Sequence, residues 1–339
     1  MSANNNQPTL PSLEGFTFRT FQGDQSFYDM LAVIASIETL DWYPYKGNSF
    51  EEIKHDYENR THFDINRDLV IAFKGEEPIA YGRLSYEFEE PEKNLVFYCG
   101  MSVNPDPVYS SFQQCFLDWF NVRALEIAQT LAPAPAALIS VFAFEKQESF
   151  LETLKSNGYQ VARYFYDMKR NLLKIPTQPL PAGLVVKPVQ PEHYRRIYDA
   201  NMEAFRDHWG FVEPEEGDYE RWLKEPIYFT PGTWQVAWDG EEVAGMVLNF
   251  IDKSNNKATG IQAGYTEDIA VRRPWRRKGL AKALICRSMQ MFKEMGMSEV
   301  RLGVDANNPN GATKLYHDLG YAVTFTTFTY RKPLEPEGG

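Results

Sequence analysis

Cysteine is scarce: Cys99, Cys115 and Cys286 are the only three in 339 residues, and no two share a paired spacing. That pattern excludes a disulfide framework or a cysteine-based zinc site and reads as core thiols in a reducing compartment. No metal is expected. Long apolar runs are missing too. No stretch approaches the roughly 20 apolar residues of a membrane span, and "MSANNNQPTLPSLEG" has neither the basic start nor the apolar run of a signal peptide. A cytoplasmic location without a membrane partner is expected. Positive charge is also in deficit, with 35 Lys and Arg against 46 Asp and Glu and a formal net charge of −11. Such a chain has no general attraction to nucleic acid or anionic lipid. Aromatic residues are plentiful, at 23 Phe, 19 Tyr and 7 Trp. They supply enough apolar mass for two cores, which the length also suggests.

The chain repeats itself. "VIAFKGEEPIAYGRLSY" (70–86) resembles "QVAWDGEEVAGMVLNF" (235–250), each a strand, a Gly-Glu-Glu turn and a second strand. "LKSNGYQVARYFYDMKR" (154–170) resembles "YHDLGYAVTFTTFTYRK" (316–332), each a helix end at Gly-Tyr followed by a strand. The offsets, 165 and 162, nearly agree, so one whole unit is duplicated. Between the copies, "LLKIPTQPLPAGL" (172–184) carries three prolines and cannot continue a helix or central strand. The expected organisation is a disordered tail over 1–15, a first domain over 16–172, a linker over 173–184, a second domain over 185–334 and a short tail over 335–339. In the second copy, hydrophobic periodicity predicts helices over 191–206, 280–295 and 312–319. A helix-containing aromatic excursion covers 208–226, and strands cover 233–251 (as a hairpin), 264–271, 300–306 and 321–331. The fold class is α/β, each domain a mixed, mostly antiparallel sheet flanked by helices.

Against the acidic background, "RRPWRRKGLA" (272–281) places five cations in seven positions, directly after a strand and before a helix. A helix start offers unpaired N–H groups and partial positive charge. Gly279 and the small Ala281 let backbone approach an anion closely, and Arg and Lys add donors. The stretch reads as a phosphate site suited to a pyrophosphate. A solvated basic turn and a nucleic-acid patch are the alternatives.

Arg276-x-x-Gly279-x-Ala281 resembles the acyl-CoA loop, Gln/Arg-x-x-Gly-x-Gly/Ala, of the GNAT superfamily of N-acetyltransferases. "VDANNPNGATKLYHDLGY" (304–321), with Leu-Tyr-x-x-x-Gly-aromatic at its end, resembles the second half of that signature. The resemblance covers about 185–332. The two copies and "AFRDHWGF" (204–211) are similar to the tandem, mycothiol synthase-like branch. This implies an acetyl-CoA-dependent N-acetyltransferase that acts on a primary amine in a ternary complex. Backbone groups of Ile269 and Val271 would pair with the pantetheine amides. The amides of Arg277, Lys278, Gly279, Leu280 and Ala281, beside Arg276, would hold the pyrophosphate. Asn308 would bond along the cofactor arm, and Tyr316 would protonate the departing thiolate. A phenol stays protonated at a pH where a thiol begins to ionise.

Direct transfer also needs a base for the amine's proton. Glu267 is the candidate, on a face that strand alternation would share with Tyr265 and Ile269, with Asp268 turned away. His208 is a second candidate, and with Trp209 a residue of the acceptor side. Cys286 reads as a core thiol. The first copy has Asp106 and Pro107 where the loop needs donors and cations, and Leu154 where the second has Tyr316. It reads as degenerate. Trp42, Tyr43 and Tyr45 there fit either a pocket wall or packing. A non-catalytic acyl-CoA-binding regulator and a protein or peptide N-acetyltransferase are the alternative functions. The chain is expected as a monomer or homodimer.

Overall fold

The computed structural model describes residues 9–308 and 311–335. Contacts divide the chain into two compact units, residues 1–162 with 328–339, and residues 163–327. Among the described residues no helix is long and apolar enough to cross a membrane.

In unit 1 the order is β1 (Thr17–Thr20), α1 (Asp24–Glu38), α2 (Phe50–Glu58), β2 (Leu69–Lys74), β3 (Glu77–Glu89), β4 (Asn94–Val103), α3 (Ser111–Ala128), β5 (Ala137–Phe144) and α4 (Glu148–Ser156). β6 (Gln160–Asn171) crosses the unit boundary at Ala162. The strands lie in the order β1-β2-β3-β4-β5, antiparallel except for the parallel pair β4–β5. One face packs under α3 and α4 through Phe112, Phe116, Phe120 and Leu154; the other packs under α1 and α2 through Phe27, Met30 and Tyr57.

Unit 2 repeats this order: β7 (Val185–Val186), α5 (Tyr194–Phe205), α6 (Asp218–Trp222), β8 (Gln235–Asp239), β9 (Glu242–Phe250), α7 (Lys253–Thr259), β10 (Ala263–Val271), α8 (Leu280–Glu294), β11 (Glu299–Asp305), α9 (Ala312–Asp318) and β12 (Ala322–Pro333). The helix α7 has no counterpart in unit 1. The sheet runs β12-β6-β11-β10-β9-β8-β7, with β10 and β11 parallel and β6–β11, β9–β10, β8–β9 and β7–β8 antiparallel. Both hairpins turn through two residues with a left-handed glycine, Gly75 at φ 62° and Gly240 at φ 58°. Both then shift register after the same number of pairs, at Ala72/Phe73 and Ala237/Trp238.

α8 presents Leu280, Leu284, Met289 and Phe292 to one face of the unit 2 sheet. Gly264 lies directly beneath Phe292, where an added Cβ would stand 2.5 Å from the ring. α5 covers the opposite face through Ile197 and Ala200, against Trp238 and Met246. Removing a buried ring such as Phe292 would cost about 3–5 kcal/mol.

The boundaries differ from those the sequence suggested. Phe165–Asn171 pair antiparallel with Asp305–Glu299, so the end of β6 is counted with unit 2 rather than with residues 16–172. Residues 328–335 return to unit 1, where Leu334 N–H bonds Ala137 O at 2.9 Å. Residues 9–15, expected within a disordered tail, run along α3: Trp119 Nε1 donates to Thr9 O at 2.8 Å, and Thr9 Oγ1 donates to Glu126 at 2.8 Å. The rest of that tail, Pro309 beside Asn308, and 336–339 lie outside the described residues.

Candidate active site

The site begins with an irregularity in one strand. β10 follows β9 from Tyr265↔Phe250 to Glu267↔Leu248, loses register, and resumes at Ala270↔Met246. Asp268 sits in the bulge at φ 43°, a left-handed value that Asp tolerates better than most residues. Asn201 Nδ2 of α5 donates to its carboxylate at 3.2 Å.

The bulge overturns one expectation. Alternation would put Ile269 on the face of Glu267. The extra residue reverses the phase, so Ile269 and Val271 pack with the α8-side core, while Glu267 stays on the α5 side opposite Leu248. Nor is Asp268 turned away, since it lines the same cavity.

On its other edge β10 pairs with β11 only from Ala263↔Glu299 to Tyr265↔Arg301. Beyond that the strands part, and the Gly303 N–H donates to Glu267 Oε1 at 3.0 Å instead of to a strand carbonyl. The fork opens a cavity of about 570 Å³. Glu267, Ile269 and Val271 line one side, with Gly303, Asp305 and Asn308 on the other, and the first turn of α8 and Tyr316 close it. His208 and Trp209 stand at the α5-side rim.

At the head of α8, Gly279 takes the left-handed cap position at φ 81°, preceded by Arg277, also left-handed at φ 63°. The first-turn N–H groups therefore face the cavity with the helix's partial positive charge. The five cations divide into two sets. Arg272 pairs with Glu203 at 2.8 Å, and Arg273 pairs with Asp207 at 2.5 Å. Arg276 donates to Val271 O at 2.9 Å, to Ala204 O at 3.2 Å and to Asp207 at 3.2 Å. These three tie the loop to the end of α5, so the Arg276 guanidinium and the Val271 carbonyl are already engaged. Arg277 and Lys278 are exposed, and Arg277 and Lys282 line the cavity. No ion pair is found for these three among the described residues.

Residues 194–321 match the model of the Acetyltransferase (GNAT) family. Unit 2 carries a GNAT domain. A 65-residue stretch is 45% identical to GCN5-related N-acetyltransferase 4, chloroplastic, of Arabidopsis thaliana, covering 19% of this chain and 21% of that one. Another relative, the mycothiol acetyltransferase of Clavibacter michiganensis, is 25% identical over 215 residues, 62% of this chain and 67% of that one. The chain thus spans about a fifth of the first relative and two thirds of the second. Among solved structures, a GCN5-related N-acetyltransferase from Sphaerobacter thermophilus superposes with a TM-score of 0.71 at 24% identity, covering 97% of this chain and 98% of that one.

Within the GNAT domain, burial sets the protonation states. It pushes the Glu267 carboxyl up to about 8, with Asp268 and Asp167 adding to the shift and the Gly303 N–H opposing it. Burial, then the neighbouring Glu267, holds the Tyr316 phenol well above its ordinary range. Burial also lowers His208, with Asp305 opposing, so its imidazole is neutral at neutral pH. His208 packs at a tilt against Phe205 with centroids 4.3 Å apart, and Trp209 lies under Arg163 at 5.3 Å. Cys286 is a buried core residue of α8, with its thiol raised by burial.

Sequence reasoning misses Phe165, Gly303 and Asp305, all of which line the cavity. Phe165 stands before the proline-rich segment, which groups it with the first copy. Its alternation marks a strand but not which sheet the strand joins. Trp42, Tyr43 and Tyr45 gather on Phe144 within unit 1, at centroid distances of 5.6 to 6.1 Å.

Proposed function

We propose that the chain is an acetyl-CoA-dependent N-acetyltransferase that moves an acetyl group directly to a primary amine of a small molecule, with both substrates bound together in unit 2. One observation carries the reading: a base candidate, an acid candidate and an anion-binding helix start all line one forked cavity. The donor set suits a diphosphate, because first-turn N–H groups are joined by the cations of Arg277, Lys278 and Lys282. Ile269 would offer its backbone to an extended amide arm as an added strand does, with Val271 limited to its N–H. Asn308 stands beside the path of that arm. Arg276 shapes the loop, and the backbone of Lys278, Gly279, Leu280 and Ala281 takes the phosphates.

Acetyl-CoA supplies the acetyl group as a thioester. Glu267 takes a proton from the incoming ammonium and leaves a neutral amine, while Tyr316, held protonated by its surroundings, gives a proton to the departing thiolate. His208 and Trp209 bound the acceptor side. The neutral His208 is the second candidate for the proton.

The test is free-thiol release from acetyl-CoA over a panel of primary amines, with Tyr316→Phe beside the unaltered protein. A turned-over amine and a roughly 10²-fold or larger fall in kcat for Tyr316→Phe, with coenzyme A binding retained, would support the reading. Coenzyme A binding without turnover of any amine would make the chain a sensor of acyl-CoA, and no binding would remove both.

A further inference from the structure

The α5-side face of the unit 2 sheet carries one line of side chains across three strands. Parallel pairing sets Tyr265 beside Arg301, and two residues on, Glu267 lies beside Gly303. Antiparallel pairing sets Gly303 beside Asp167 of β6. Paired residues point to the same face, so Glu267 and Asp167 flank a position with no side chain. A Cβ at Gly303 would stand 3.8 Å from Glu267 Oε1. The two carboxylates thus face each other across a strip of bare backbone at the edge of the cavity.

Few countercharges reach this strip. From β11, Arg301 approaches but is committed to Glu299 at 2.7 Å, and Asp305 lies 3.9 Å from Arg163. From β6, Lys169 is 3.7 Å from the same Glu299. Asp268, bonded by Asn201, is a second like charge that raises Glu267, ahead of Asp167, and His208 at the rim is neutral. Tyr316 of α9, Tyr265 of β10 and Tyr321, whose hydroxyl meets Thr266 at 3.1 Å, are protonated phenols. From β9, Leu248 stands opposite Glu267 and brings no charge.

Resting on the reading of Glu267 as the base, we propose that Asp167 is a positioning residue for it. Its carboxylate, facing Glu267 across Gly303, raises the proton affinity of the base and so sets the pH at which the acceptor ammonium is deprotonated. The step balances simply. An N–H bond of the ammonium breaks, an O–H bond forms on Glu267, and after product leaves Glu267 returns that proton to solvent. A negative neighbour makes Glu267 a stronger base for a cationic amine while delaying its readiness to higher pH. Burial pushes Asp167 itself up to about 7, with Arg301 opposing, so Asp167 carries its charge over the range in which Glu267 ionises. A carboxylate beside another negative charge is harder to ionise.

The experiment is the pH profile of kcat/KM with an amine from the panel, for the unaltered protein, Asp167→Asn, Asp167→Glu and Glu267→Gln. Asp167→Asn should move the acid limb down by about one pH unit. Asp167→Glu, which keeps the charge, should leave the limb near its original place. A role confined to folding would instead lower activity at every pH without moving the limb. Glu267→Gln should remove the limb or replace it with that of the free amine. If Glu267→Gln changes the limb while Asp167→Asn leaves it unmoved, the inference about Asp167 fails and the base stands. If Glu267→Gln leaves the limb intact, the base itself is wrong and the inference falls with it.

Discussion

β4 and β10 hold the same place in the two units and end differently. β4 keeps register with β3 without interruption from Asn94↔Glu89 to Val103↔Ala80 and stays beside β5 for five pairs. β10 bulges at Asp268 and leaves β11 after three. The loops after the two strands diverge as well. After β4, Asp106 accepts from the Val108 N–H at 3.0 Å and caps a short turn starting at Pro107, so the chain's own carboxylate uses a donor there. After β10, Gly279 turns the first N–H groups of α8 toward a cavity with Arg277 beside them. Leu154 is fully buried where unit 2 has Tyr316. The shared element order builds the sheet and its two cores. One bulge, one glycine cap and one phenol distinguish a site from a filled interior.

The largest effect should come from placing unit 1's acid in unit 2's loop. Gly279→Asp sets a carboxylate at the turn proposed to bind the diphosphate and should weaken coenzyme A binding more than about 100-fold by calorimetry, roughly 2.7 kcal/mol. Gly279→Ala separates charge from strain. Its Cβ would meet Gln178 at an ordinary 3.5 Å, but at φ 81° a side chain is strained by about 1–3 kcal/mol. Ala should therefore cost stability and much less affinity. Equal affinity loss in both variants would mean that the backbone turn, not the sign of charge, separates the two units.

Much of this contrast is legible in the chain. The Gly-Glu-Glu hairpins, the missing loop after β4 and the Leu154/Tyr316 exchange are local features, and local chemistry fixes them. The bulge is illegible because a one-residue change of register needs no unusual residue beyond an Asp that accepts left-handed φ. The split among the five cations depends on Glu203 and Asp207, about 70 positions away, and spacing cannot show which arginines an acid will claim. The sheet that β6 joins is hidden for the same reason, since strand pairing is non-local. α7 does leave a trace in the sequence, an Asx cap and a closing glycine: Asp252 accepts from Asn255 N at 2.7 Å at one end, and Gly260 closes the other at φ 70°.

Unit 2 should also carry a pH-dependent stability cost at Glu267. Glu267 is raised to about 8 in the folded protein, against about 4.3 in an unfolded chain. Between those values the native state holds a proton that the unfolded state has lost, so stability falls as pH rises through this window and the full penalty applies above it. Glu267 is only half-buried and borders the cavity, so much of the shift is screened. Glu267→Gln should therefore be about 2 kcal/mol more stable than the unaltered protein at pH 9, and should unfold at nearly the same denaturant concentration at pH 4. A difference that is the same at both pH values would place the cause in packing and not in a buried charge.

The smallest effect tests unit 1. Asp106 holds one N–H of an exposed turn, so Asp106→Ala should cost at most about 1 kcal/mol in chemical unfolding. Coenzyme A binding and turnover should not change, because the cavity is lined by unit 2 residues alone. Freeing the Val108 N–H does not create an anion site, since no glycine opens the backbone after β4 and no bulge interrupts β4 beside β3. A second equivalent of coenzyme A bound by Asp106→Ala would overturn this. It would mean that the cap alone silences unit 1, and that the fork between β10 and β11 matters less for cofactor binding than for the reaction.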